Sequence, residues 1–280
     1  MLHSFQHRLA KSPAPVRLGV FILILLLLWL PFAAPIYLLV DNSNSASIGA
    51  MGLLYLEFML LVWVWGRTVH RQPRIFQHYG LEISRRNGWE LVQGFGLGWL
   101  VLCIVFGIEF SLGWVTWHTP GLPWQRLIQE ALMVGLGVGF AEELLFRGWL
   151  YDELQRDYPL RTVLWGTAIP FALLHFIKPL ETIVRTFPQF LGLLLLGLTL
   201  VWAKRSQRGR LGLPIGLHAG LISAYYCFNV GQVMQYSHRV PDWVTGIDGN
   251  PLAGLMGLAG LGSIALSIAL WTRFSHSRTV

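Results

Sequence analysis

Eight apolar runs divide the chain, near residues 18–40, 48–66, 90–112, 125–150, 160–177, 186–203, 211–231 and 251–272. Each is close to the roughly 20 residues that carry an α-helix across a bilayer core of about 30 Å. The pattern predicts an all-α, polytopic membrane protein of about eight transmembrane helices. The first run, from Leu18 to Val40, follows Arg8, Lys11 and Arg17 and is longer than the apolar core of a cleaved signal peptide. It is therefore read as a retained helix, bent near Pro31 and Pro35.

The Lys and Arg residues test this segmentation. With the N terminus inside and the runs alternating, 17 of the 21 fall on the cytoplasmic side. Only Arg126, Lys178, Arg185 and Arg239 fall outside. That is the bias the positive-inside rule asks of short loops, and it places the N and C termini in the cytoplasm. Three helices are expected in residues 1–120, five in 121–272, and a cytoplasmic tail in 273–280. The expected setting is a multi-pass protein of the cell (inner) membrane.

Composition agrees with the pattern. The chain is 54% hydrophobic and 12% charged, about half the charged fraction of a soluble domain. The net charge of +7 sits in short clusters between apolar runs rather than on one basic face, which argues against a nucleic-acid partner. The bilayer and a membrane peptide or protein substrate are the expected partners. Cys103 and Cys227 both lie inside apolar runs, so no disulfide framework is expected. Trp29, Trp63, Trp65, Trp89, Trp114, Trp117 and Trp124 mostly flank the runs as interface anchors.

A charged side chain inside a spanning helix costs several kcal/mol unless paired or wetted, so such residues are the candidates for chemistry. The densest set is Glu142-Glu143-Leu144-Leu145-Phe146-Arg147 in the fourth run. Glu143 and Arg147 are neighbours at i,i+4, in the favourable acid-first order. Glu142 points about 100° away from them, which leaves its carboxylate free. His175 follows Phe171 by one turn in the fifth run, and His218 lies near the start of the seventh. Glu142 and His175 stand about equally far from the turn at Tyr158-Pro159, so an antiparallel hairpin sets them at one height, roughly 24 Å from the turn. Gly216, Ala219 and Gly220 allow close helix approach around His218. Glu57 and Glu109 have no motif around them and are expected to find a local donor or an interface. Glu130 is expected to be solvated at the outer end of its helix, and 238–251 to form an ordered, turn-rich outer loop.

The chemistry these residues permit is water activation. A free carboxylate takes a proton from water and returns it to a leaving amine. One histidine orients the water, and the other donates to the oxyanion. No serine or cysteine nucleophile motif lies beside them. The competing readings are a structural polar core in a non-catalytic membrane immunity factor or scaffold, and a proton-relay transporter, for which no internal repeat or paired broken helices are visible.

In this order, EExxxR at Glu142–Arg147, FxxxH at Phe171–His175 and the later His218 resemble the CPBP family, the CAAX proteases and bacteriocin-processing enzymes also called Abi. The resemblance covers roughly residues 125–232. It implies a CPBP-like protease core in 121–272 and an intramembrane glutamic endopeptidase similar to the type II CAAX prenyl endopeptidases. Carried over, Glu142 and His175 activate water and His218 serves the oxyanion, with Glu143 and Arg147 supporting Glu142 from behind and Phe171 also in support. The sequence departs from the family at Ile222, where Asn or Asp is common four residues after this histidine and supplies a second oxyanion contact. Ile222 cannot donate a hydrogen bond, which leaves Ser223, Tyr225 or a backbone group as substitutes. No cofactor is expected. The alternative is zinc, since one Glu and two His satisfy a catalytic zinc site in ligand type, although the HExxH pattern is absent.

Overall fold

The computed structural model of the chain describes residues 2–277 and is helical almost throughout. The N-terminal part comprises α1 (Leu2–Ala10), α2 (Ala14–Leu39), α3 (Ser43–Thr68), the short α4 (Ile75–His78) and α5 (Arg85–Ser111). Then follow α6 (Trp124–Glu143), α7 (Tyr151–Gln155), α8 (Leu160–Leu174), α9 (Leu180–Thr186), α10 (Gln189–Ser206), α11 (Gly212–Tyr225), α12 (Asp242–Thr245) and α13 (Leu255–Ser277). Two π-helical segments, Leu144–Leu150 and Tyr226–Val230, prolong α6 and α11 without a break. A departure from the all-α expectation is a pair of three-residue strands, β1 (Val115–Trp117) and β2 (Met234–Tyr236). They pair antiparallel and tie the end of α5 to the end of the α11 path.

All eight apolar runs are helical, but not all as single rods. Helices α2, α3 and α5 are each long and apolar enough to cross a membrane. Helices α9 and α10 meet at 73° and make a fourth crossing if taken together. The break falls at Phe187-Pro188, where the proline lacks the N–H that a continuous helix needs. Helix α8 stops after 15 residues. Pro31 and Pro35 lie within an α2 that runs unbroken from Ala14 to Leu39. At the C terminus α13 continues to Ser277, so most of the expected tail is helix, and 278–280 lie outside the described residues. Outward-facing side chains such as Leu27, Leu38 and Leu56 are 63, 82 and 67% exposed. An apolar surface of this extent calls for lipid around it.

The packing centres on α11, and glycines decide how close its neighbours come. A Cβ on Gly94 or Gly98 of α5 would strike the α11 backbone, and one on Gly216 or Gly220 of α11 would strike that of α5. On the other side a Cβ on Gly135 or Gly139 of α6 would meet Ser223 or Ala219. Helix α11 is thus held in backbone contact between α5 and α6, the small-residue packing that joins helices where no hydrophobic drive separates protein from lipid. Its N-terminal end is pinned as well: Arg210 grips Glu90 through two nitrogens, and the Gly212 N–H donates to Asn87 Oδ1 at 2.7 Å.

A polar cluster locks the end of α7 onto the first helices. Glu153, fully buried, accepts from Arg17 Nε at 2.7 Å and Trp65 Nε1 at 2.9 Å, and its Oε1 lies 2.5 Å from His70 Nε2. Burial pushes the Glu153 carboxyl up, but hydrogen bonding and charge from His70 and Arg17 outweigh it and hold its pKa below the usual carboxylate value. Trp65 is therefore a buried hydrogen-bonding residue rather than an interface anchor, because this acid needs its N–H. Lys204, also buried, donates to the carbonyls of Tyr79 and Arg147 at 2.7 Å each. Both cysteines are free.

Candidate active site

Glu142 and Glu143 are the last residues of α6, and Arg147 sits in the π-helical stretch that follows. A π-turn is rare and is found mostly at functional sites. Here it occupies seven residues and still leaves Arg147 Nη1 2.9 Å from Glu143 Oε1. Both side chains of this pair are fully buried. Arg147 also donates to the Gly197 carbonyl at 3.0 Å, and its guanidinium carbon stands 4.4 Å above the Phe171 ring.

The three separated motifs meet. His175 ends α8 as its C-cap residue, and His218 is buried on the second turn of α11. Glu142 Oε2 lies 3.9 Å from His175 Nε2 and 3.9 Å from His218 Nε2. Both gaps are too long for a direct hydrogen bond and suited to a bridging water. Glu142 Oε2 has no hydrogen-bond partner among the described residues. The other ring nitrogens are fixed: His175 Nδ1 lies 2.7 Å from the Phe171 carbonyl, and His218 Nδ1 2.9 Å from Glu143 Oε1. A carbonyl oxygen only accepts, so His175 carries a proton on Nδ1, and in the neutral ring Nε2 is the acceptor that faces Glu142. Phe171 packs against both rings, at centroid distances of 4.9 and 5.7 Å.

Two sequence expectations change at this point. Glu143 and Arg147 make no hydrogen bond to Glu142; they hold His218 instead, because the 100° between consecutive helical residues turns Glu143 toward α11. Ser223 faces the α6 glycines and does not line the site, whereas Tyr225 does. Farther off, Glu109 is fully buried, and neither carboxylate oxygen has a hydrogen-bond partner among the described residues. Glu130 accepts from Arg126 at 2.8 Å and from the Tyr226 hydroxyl at 3.0 Å.

Glu142, His175 and His218 open onto a cavity of about 270 Å³. Its walls are otherwise mostly aliphatic, with Leu193 and Leu196 from α10, Leu221 and Ile222 from α11, and Leu261 from α13. Two polar residues complete the lining, Tyr225 and Asn250. Nothing in the sequence pattern pointed to Asn250, which lies in the outer loop and reaches the site only through the fold. Among the described residues no group of three or more His, Cys, Asp or Glu is set to hold a metal ion. Zinc ligands bonded at about 2.0–2.1 Å in a tetrahedron lie roughly 3.3 Å from one another, closer than the 3.9 Å that separates the carboxylate from either imidazole.

A carboxylate facing two oriented imidazoles inside an apolar cavity is an arrangement that can hold and activate water. Comparison with known families bears on it. Residues 124–222, about a third of the chain, match the family model described as type II CAAX prenyl endopeptidase Rce1-like, a family of membrane proteases. The match contains all three motifs and ends at Ile222, so over that stretch the resemblance drawn from the motifs is shown. No curated protein and no solved structure matches the chain.

Proposed function

We propose that this chain is an intramembrane endopeptidase that hydrolyses a peptide bond of a membrane-associated, CAAX-like substrate. The observation that carries the reading is the position of Glu142 Oε2, without a hydrogen-bond partner among the described residues and equidistant from two imidazole Nε2 atoms on the wall of an apolar cavity. In the reaction a water held between Glu142 and His175 gives a proton to Glu142 as its oxygen attacks the carbonyl carbon. The negative charge that develops on the carbonyl oxygen is met by Nε2–H of a doubly protonated His218, whose Nδ1–H is held by Glu143, itself paired with Arg147. The C–N bond then breaks, and Glu142 returns the proton to the leaving amine. The aliphatic walls suit an isoprenyl or long apolar side chain next to the scissile bond. Eight spans with both termini cytoplasmic is the topology that the seventeen inward-facing Lys and Arg residues favour.

The test is cleavage by purified protein in liposomes, using farnesylated and unmodified forms of one anchored peptide. Glu142→Gln and His175→Ala run beside the parent, each with and without a zinc chelator. Cleavage lost in both variants and kept under chelation supports the carboxylate mechanism, and a preference for the farnesylated peptide supports the CAAX-like substrate. Loss under chelation moves the chemistry to zinc. A folded parent that cleaves nothing leaves the non-catalytic immunity factor or scaffold, the reading that Ile222 favours.

A further inference from the structure

Amide hydrolysis places charge on the carbonyl oxygen, and preorganised donors aimed at that oxygen supply a large part of the catalysis. In this cavity one such donor is at hand, His218, which donates from Nε2 only with its ring doubly protonated, because its Nδ1–H is given to the Glu143 carboxylate. The residue one turn beyond it on α11 is Ile222, which lines the same wall and has no hydrogen to give. The neutral side-chain donors left on the cavity wall are Tyr225 and Asn250.

Asn250 is held there by an unusual length of backbone. Three of the four residues before it have positive φ: Gly246 at 140°, Asp248 at 55° and Gly249 at 70°. Outside contacts fix the bend. Arg185 Nε meets Asp248 Oδ2 at 3.0 Å, and the Asn229 amide donates to the Gly249 carbonyl. Beyond Asn250 the Leu252 backbone lies so close to α10 that a Cβ on Gly192 would strike it. The Asn250 side chain is pinned at one end, where its Oδ1 accepts from the Leu252 N–H at 3.0 Å. That bond fixes which way the amide is turned. Its NH2 makes no hydrogen bond within the described residues, and Asn250 lies on the cavity wall.

From this we infer that the Asn250 side-chain amide is a catalytic donor to the oxyanion, supplying from the outer loop what Ile222 cannot supply from α11. The inference rests on the peptidase reading above. The amide forms no covalent bond and moves no proton; it donates one N–H to the carbonyl oxygen as the tetrahedral intermediate forms and weakens that bond as the C–N bond breaks.

The bland role for Asn250 is a cap on the Pro251–Ala253 turn, and the two roles separate by substitution. Asn250→Asp keeps the capping oxygen and removes the donor; Asn250→Ala removes both. Both variants, Tyr225→Phe, and Asn250→Ala combined with Ile222→Asn are assayed on the anchored peptide beside the parent, with thermal unfolding in micelles as the fold control. The expected result is a fall in kcat of about 100-fold or more in both single Asn250 variants, with KM unchanged. Asn250→Asp should unfold with the parent, a phosphinate mimic of the tetrahedral intermediate should bind it more weakly, and Ile222→Asn should restore turnover to Asn250→Ala. Parent-like kcat in Asn250→Asp would overturn the inference, as would a loss confined to Tyr225→Phe. A folded parent that cleaves no peptide instead sinks the peptidase reading, and this one with it. A parent that cleaves beside an Asn250→Asp that cleaves equally well sinks this one alone.

Discussion

Replacing Glu143 by Gln tests how the site is held together. The carboxylate is fully buried and accepts from Arg147 and His218 at 2.9 Å each. Glutamine retains an acceptor oxygen, so the geometry survives, but the charge is gone and the fully buried Arg147 guanidinium is left without its counter-ion. Breaking one side of a buried pair costs about 3–5 kcal/mol. The Gly197 carbonyl and the Phe171 ring still face the guanidinium and return part of that, so the lower end, about 3 kcal/mol, is the expectation. Replacing both members, Glu143→Met with Arg147→Met, removes the orphaned charge. It leaves the Gly197 carbonyl without its donor and the buried His218 Nδ1 without its acceptor, about 1–3 kcal/mol each, so the double variant should be about as stable as the single. Cleavage should fall further than stability does, because His218 is no longer oriented in the double variant. Reversible unfolding in mixed micelles reads the first quantity and peptide cleavage the second. A Glu143→Gln protein as stable as the parent would refute the buried-pair argument. A double variant with parental turnover would refute the claim that Glu143 acts through His218.

Two further outcomes follow from the packing and the charges. The folded-state pKa of Glu153 lies below its unfolded value, near 4.3; its contribution to stability is therefore complete above that pH and is lost as the pH falls through the folded value. Unfolding followed from pH 7 downward should show an acid limb that Glu153→Gln flattens, with the variant already less stable at neutral pH; equal slopes would show that the carboxylate is not coupled to folding. At Gly220 a Cβ would strike the Phe95 backbone, so Gly220→Ala should force α11 from α5 and lower the thermal midpoint and turnover together, whereas an unchanged midpoint would mean that the two helices do not depend on that contact.

What the sequence revealed, and what it hid, follows from the range of its signals. Helical periodicity acts over a few residues, and within that range it separated Glu142 from the Glu143–Arg147 pair and put Phe171 under His175. It could not say what Glu143 would hold, because His218 lies 75 residues away and comes into reach only when glycines bring α11 against α6. The π-turns left no mark on the apolar pattern, since seven residues of π-helix carry the same side chains as seven of α-helix. Burial of Trp65 and Lys204 was equally hidden: a tryptophan or a lysine at the end of an apolar run reads as an anchor, until a carboxylate or two carbonyls from other helices meet it. Asn250 lies furthest from any local signal. Its stretch of Asp, Gly, Asn and Pro announced a turn and nothing more, for turn chemistry fixes how a chain bends and not what it bends toward. Three left-handed residues, an ion pair from α9 and close approach to α10 turn that loop inward. On the inference that Asn250 donates to the oxyanion, the isoleucine on α11 where a donor is wanted is answered by a residue from another element.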